Sequence, residues 1–147
     1  MKKITGTRHD FSKKGKVSIW ASQYPYKDVP DKYFEETFSR NNTRATNTWS
    51  DNFNLQFFNP ENMETNGAQE GTVGINKAAG ECSFSSSYIQ VLVSKARKKK
   101  LVEVSWIVLL FEYEYSPKIS GVDKDNYMSF LGAFDYDDGA ENLFEIE

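Results

Sequence analysis

With one cysteine, Cys82, the chain has no internal disulfide framework. With one histidine, His9, it has little scope for imidazole-based metal binding or nucleophilic chemistry. Long apolar runs are also missing. The longest unbroken one is Trp106–Phe111, well short of the roughly 18–20 residues that cross a bilayer. Met1-Lys2-Lys3-Ile4 opens like a secretion signal, but Thr5-Gly6-Thr7-Arg8-His9-Asp10 stands where an apolar stretch should follow. These absences predict a cytoplasmic protein with no membrane partner. What is present fits a globular domain: 39% hydrophobic, 27% charged and 15% aromatic residues over 147 positions. A chain of this length buries roughly 69% of its surface on folding, enough for one core without staples.

The net charge of −3 conceals a gradient. Residues 1–16 hold six Lys/Arg and one Asp, residues 17–110 hold ten charges of each sign, and residues 111–147 hold two Lys and ten Asp/Glu. The reading is a basic N-terminal arm over 1–15, a domain over 16–138 and an acidic tail over 139–147. An acidic end attracts cationic partners and repels nucleic acid, so a basic partner is expected there and nucleic acid is not.

Val17-Ser18-Ile19-Trp20-Ala21 alternates as a strand should. Asp28, Pro30 and Asp31 look like the start of a helix over 29–39, with Tyr33, Phe34, Thr37 and Phe38 at helical spacing. Residues 40–52 are rich in Asn, Thr and Ser and read as loop. Phe53–Phe58 alternates up to Asn59-Pro60 and reads as a second strand, and 60–83 as a long irregular excursion with a short helix near 75–80. Ser85 or Ser86 is the expected cap of a helix over 85–101, whose stripe is Tyr88, Ile89, Leu92, Val93 and Ala96 and whose end is Lys95–Lys100. Glu103–Tyr115 is the longest strand, apolar on both faces through Phe111 and then alternating Glu-Tyr-Glu-Tyr. Tyr127–Tyr136 closes the order β-α-β-α-β-β and can pair with its predecessor as a hairpin. The fold class is α+β: a single domain with an antiparallel or mixed sheet and helices mainly on one face. No internal repeat or low-complexity tract is present.

No catalytic, cofactor-binding or metal site is read from the residues. Cys82 has His9 as its one imidazole partner, no close Cys/His/Asp/Glu set fits zinc, and Gly71-Thr72-Val73-Gly74 lacks the Lys-Ser/Thr of a phosphate loop. The acidic end is the informative part. Glu112 and Glu114 fall two apart on one strand, Asp135 and Asp137 two apart on the next, with Asp138 beyond them and Tyr113, Tyr115 and Tyr136 interleaved. Three readings remain open for it. It is a solvated sheet edge, a docking surface for a basic protein, or a divalent-metal site of a small carboxylate hydrolase. A nucleic-acid module using residues 2–16 and 95–100 is a further alternative.

Five blocks resemble, in order, those of the immunity protein 22 family. They are Val17-Ser18-Ile19-Trp20; Tyr33-Phe34-Glu35-Glu36-Thr37-Phe38; Phe84-Ser85-Ser86-Ser87-Tyr88-Ile89; Trp106 through Tyr115; and Phe130-Leu131-Gly132-Ala133-Phe134-Asp135-Tyr136. The resemblance runs from about residue 16 to 138 and departs at 40–52, where Arg40-Asn41-Asn42-Thr43-Arg44 replaces an acidic, Gly-containing turn. Members of that family are the antidote components of bacterial polymorphic toxin systems. The resemblance implies a non-enzymatic cytoplasmic inhibitor without cofactors that binds a cognate toxin domain, nucleases being one such class. The acidic, tyrosine-containing end agrees with this, and the partner-binding surface expected there is Glu112, Tyr113, Glu114, Tyr115, Asp135, Tyr136, Asp137 and Asp138.

Overall fold

The computed structural model describes residues 9–35, 37–38, 45–56, 58–68 and 70–144. Residues 1–8 of the basic segment, Glu36, Arg40–Arg44 of the departing turn, Phe57 and 145–147 of the acidic tail lie outside the described residues. The strands are β1 (Ser12–Ser22), β2 (Thr37–Phe38), β3 (Ala45–Thr46), β4 (Met63–Gly67), β5 (Val73–Gly74), β6 (Glu103–Val104), β7 (Trp106–Tyr113) and β8 (Ser129–Asp135). The helices are α1 (Thr48–Asn52), α2 (Ile75–Gly80), α3 (Ile89–Lys99) and α4 (Pro117–Ser120). The fold is α+β, built on one antiparallel four-stranded sheet in the order β4-β7-β1-β8.

The last strand does not pair with its predecessor. β1 inserts between them, matching Val17 with Phe111 on one side and with Phe134 on the other. The segment 116–128 therefore crosses over β1 instead of closing a hairpin. β1 carries apolar side chains to both faces, with Val17, Ile19 and Ala21 on one and Trp20 on the other, and all four are buried. A strand with two buried faces is stable only in a sheet interior, because there its backbone is paired on both edges. The segment 9–15 is already part of the fold: β1 begins at Ser12, Phe11 is buried, and His9 N donates to Asn54 O at 3.0 Å.

β7 divides as its pattern predicts. Ile107, Leu109 and Phe111 face a cluster with α2 and α3, while Trp106, Val108 and Leu110 face a second cluster. α3 packs Tyr88, Ile89, Leu92 and Ala96 onto the first, with Val93 at its margin. The second cluster is mostly aromatic. Trp20 is its hub, with ring centroids 5.0 Å from Trp49, 5.8 Å from Phe53, 5.3 Å from Tyr115 and 5.1 Å from Phe130. Tilted and edge-to-face contacts of this kind add to area burial by about 0.5–1.5 kcal/mol each.

Several local expectations fail: 40–52, read as loop, carries β3 and the capped α1, 60–83, read as irregular, carries β4 and β5, and three further readings give way for physical reasons. The helix over 29–39 is replaced by two short 3-10 turns, Tyr26–Asp28 and Asp31–Tyr33, and Thr37–Phe38 pairs with Ala45–Thr46. Tyr33 is buried by the aromatic cluster and its hydroxyl donates to Asp125, so tertiary packing sets its position. The strand over 53–58 is displaced by α1, which Asn47 and Ser50 cap reciprocally, and Asn54 then turns the chain with φ 59°. Phe53, Leu55 and Phe58 are buried without forming a ladder strand. The serines before α3 do not cap it. Ser85 Oγ donates to Gly80 O at 2.7 Å and accepts from Leu143 N, and Ser86 binds Glu141 O, so they fasten the segment after β8. The short helix near 75–80 is present as α2.

Leu109 is fully buried at the centre of β7. Truncation to Ala is expected to cost about 2–5 kcal/mol in a denaturant titration. A loss below about 1 kcal/mol contradicts a central position for β7.

Candidate functional site

Insertion of β1 separates the acidic residues that a hairpin would have joined. Glu112 and Glu114 lie at the end of β7, Asp135 at the end of β8, and Lys16 of β1 stands between them. Its ammonium is 3.0 Å from Asp135 Oδ1 and 3.4 Å from Glu114 Oε2. The hydrogen bond to Asp135, assisted by Glu114, holds the Lys16 pKa above its ordinary value. Both carboxylates are largely exposed, so each pair contributes about 0–1 kcal/mol. The bridge orients the carboxylates more than it stabilises the fold.

Glu112 sits in the left-handed region at φ 62°, a conformation that non-glycine residues seldom adopt. The turn lies where the register shifts between β1 and β7, β1 advancing five residues from Ser12 to Val17 while β7 spans two from Tyr113 to Phe111. It also reverses the alternation. Phe111 belongs to the cluster under α3, whereas Tyr113 and Tyr115 belong to the aromatic cluster on the other face. Both tyrosines are about 2% exposed, so they are core residues and cannot meet a partner. Buried Ser18 secures the chain beyond the turn, donating to Tyr113 O at 2.8 Å and accepting from Tyr115 N at 2.9 Å.

The Glu112 carboxylate accepts from Gly15 N at 2.6 Å, and Gly15 adopts φ 82° opposite it. The Tyr136 phenol shares the groove with the same carboxylate. Burial first, and then this carboxylate, pushes the Tyr136 phenol up to about 12. Glu112, Tyr136, Phe111 and Phe84 line an open groove of about 380 Å³ with Glu61 and Glu64. Phe84 and Tyr136 stack at 5.6 Å with an interplanar angle of 22°. Glu64 accepts from Ser83 N through both oxygens. Glu114, Asp135, Asp137 and Asp138 are exposed at or just beyond the ends of β7 and β8, which lie at one end of the sheet, and Tyr136 is half-buried.

Of the eight residues predicted for the surface, the structure thus leaves Glu114, Asp135, Asp137 and Asp138 facing solvent. It gives Glu112 and Tyr136 to the groove and Tyr113 and Tyr115 to the core. Glu61 and Glu64 are the additions. Their signal was local charge: residues 45–76 hold Asp51, Glu61, Glu64 and Glu70 and no Lys or Arg.

Among the described residues, no group of three or more His, Cys, Asp or Glu converges in a way that could hold a metal ion. No described helix is long and apolar enough to cross a membrane. Cys82 is buried against Ala78 O, and burial, with Glu64 and Glu81 nearby, pushes its thiol far up. His9 bridges to Leu55, on the other side of the sheet from Cys82. The basic end of α3 is in structural use, since Lys99 binds Asp123 at 3.3 Å and Phe130 O at 2.6 Å.

Two outcomes follow from these environments. Cys82 is expected to stay unmodified by a thiol reagent at neutral pH and to react only on unfolding; rapid labelling of the native protein contradicts its burial. In ultraviolet difference titrations, Glu112→Gln is expected to lower the Tyr136 transition from about 12 towards the ordinary phenol value of about 10. The sign follows because a neutral amide no longer opposes the phenolate.

No curated protein matches the chain, and no solved structure matches it. A family model described as Immunity protein 22 matches residues 17–137, a span that runs from β1 to just beyond the end of β8. It takes in both core clusters except Phe11, and every residue lining the acidic groove. The chain belongs to the immunity protein 22 family.

Proposed function

We propose that this protein is a non-enzymatic, cytoplasmic antidote that occludes a cationic toxin domain, a nuclease of a polymorphic toxin system fitting the charge best. Membership of an immunity protein family supports a toxin as the partner. The observation that carries the mode of binding is the disposition of acid at the ends of β7 and β8. Glu114, Asp135, Asp137 and Asp138 are exposed at one end of the sheet, Lys16 draws Glu114 and Asp135 together, and the groove holding Glu61, Glu64, Glu112 and Tyr136 reaches the same end. A nuclease binds a phosphate backbone through a cationic surface, and an array of carboxylates presents that surface with the same sign of charge. Exposed carboxylates at the rim act chiefly on the association rate. The half-buried Tyr136 and Phe84 supply the contact from which water is excluded.

The residues that carry this reading are Glu114, Asp135, Asp137 and Asp138 for steering and Tyr136 for the apolar contact. Glu112 acts by holding Gly15 in place at the groove that Tyr136 lines. Steering by exposed charge acts over distances comparable with the screening length of the solution, so it weakens as salt is added.

The test takes the cognate toxin domain and measures binding by surface plasmon resonance at low and physiological salt. Asp135→Lys with Asp138→Lys is expected to slow association about tenfold at low salt and to flatten its salt dependence, with stability changed by less than about 1 kcal/mol. Wild-type rates at both salt concentrations overturn the acidic surface as the docking site.

A further inference from the structure

The two outer edges of the four-stranded sheet are finished differently. On β8, Phe130 N donates outward to Asp123 O at 2.9 Å and Lys99 Nζ donates to Phe130 O at 2.6 Å. Lys124 adds an isolated antiparallel bridge to Ser129, and α3 packs against the strand. That edge is covered by a loop and guarded by a lysine, two of the means by which folded proteins prevent further strand pairing. β4 has neither. Among the described residues no strand pairs with its outer side, and Met63-Glu64-Thr65-Asn66-Gly67 contains no Lys, Arg or Pro. Thr65 and Gly67 are exposed.

The register shows which groups the open edge offers. Tyr136 N donates to Gly15 O and Ala68 N donates to Ser105 O. Carried along the ladders, these bonds place Glu64 opposite Leu109 and Asn66 opposite Ile107 as bonded pairs. The N–H and C=O of Thr65, between them, point away from the sheet. The strand is five residues long, about 17 Å at roughly 3.4 Å per residue, which is enough to template one short segment.

A hollow flanks this edge on each face of the sheet. On the face of the aromatic cluster, Tyr26, Thr65, Gly67 and Trp106 line one of about 220 Å³. On the opposite face lies the groove holding Glu61, Glu64, Glu112 and Tyr136. Side chains of an added strand alternate between faces, so one set would lie over Trp106 and Tyr26 and the other over the carboxylates. The groove on that face holds Glu61, Glu64 and Glu112 and is lined by no Lys or Arg. That charge selects a basic occupant and disfavours a second copy, whose β4 would bring like charges together.

We propose that β4 is a docking edge along which an extended, basic segment of the toxin adds a fifth strand, its outer backbone bonded at Thr65 and its Lys or Arg side chains over Glu61 and Glu64. This rests on the reading of the protein as a toxin-binding antidote and adds the edge, the backbone register and the conformation of the bound segment.

Hydrogen exchange by mass spectrometry, on the protein alone and with the same toxin domain, tests it. The expected result is exchange at Met63–Gly67 slowed at least tenfold in the complex. Thr65→Pro, which removes the outward donor and no bond to β7, is expected to weaken binding at least tenfold while Glu61→Lys slows association. If Thr65→Pro unfolds the protein, the exchange result on the wild-type chain decides alone. Tight binding with unchanged exchange at Met63–Gly67 overturns the docking edge and leaves the antidote reading standing. Protection already present without toxin, with a dimer mass by light scattering, assigns the edge to a second copy and also overturns it. Absence of any binding overturns both.

Discussion

The structure depends on burying β1 on four sides at once. Its two edges are hydrogen-bonded to β7 and β8, and its two faces are covered by the α3 cluster and the aromatic cluster. Trp20 concentrates this constraint. It is fully buried among Trp49, Tyr115, Phe53 and Phe130, so one side chain couples α1, the residues beyond β7 and β8. Lys16, at the start of the same strand, is bracketed by Glu114 and Asp135 for the same topological reason: any residue there has one neighbour strand on each side. The acidic surface is thus a consequence of the strand order as much as of composition.

Where side chains alternate within a buried element, sequence and structure agree. The two faces of β7 and the apolar stripe of α3 were legible because burial imposes a period of two on one and near 3.6 on the other. β4 was not legible because Met63–Gly67 is an edge strand with little buried area and hence no apolar signature. The segment 29–39 misled because Tyr33, Phe34, Thr37 and Phe38 have helical spacing, although Tyr33 is fixed by Asp125 and Tyr127 from distant parts of the chain. Pairing of β8 with β1 is non-local, and no local pattern distinguishes it from a hairpin.

The candidate site was legible in its charge and not in its faces. A single residue, Glu112, accounts for the difference. Its left-handed backbone reverses the alternation, so Tyr113 and Tyr115 turn into the aromatic cluster instead of sharing a surface with the carboxylates. Nothing in the words Glu-Tyr-Glu-Tyr announces this, because the turn is held by a contact with Gly15, almost a hundred residues earlier. A non-glycine residue held there by its own carboxylate is a place where local preference yields to a distant bond, and such places cluster at functional surfaces.

The strand order also has a consequence in time. β1 is made first, but both of its neighbours come after residue 105, and the turn before α3 is fastened by Glu141, Asn142 and Leu143. During synthesis one edge of β1 therefore waits for β7 and the other for β8. Closure over such long separations is slow, and a waiting apolar strand is a target for chaperones. The four-stranded sheet is thus complete only in chains made past residue 135, and its last fastening only past residue 143.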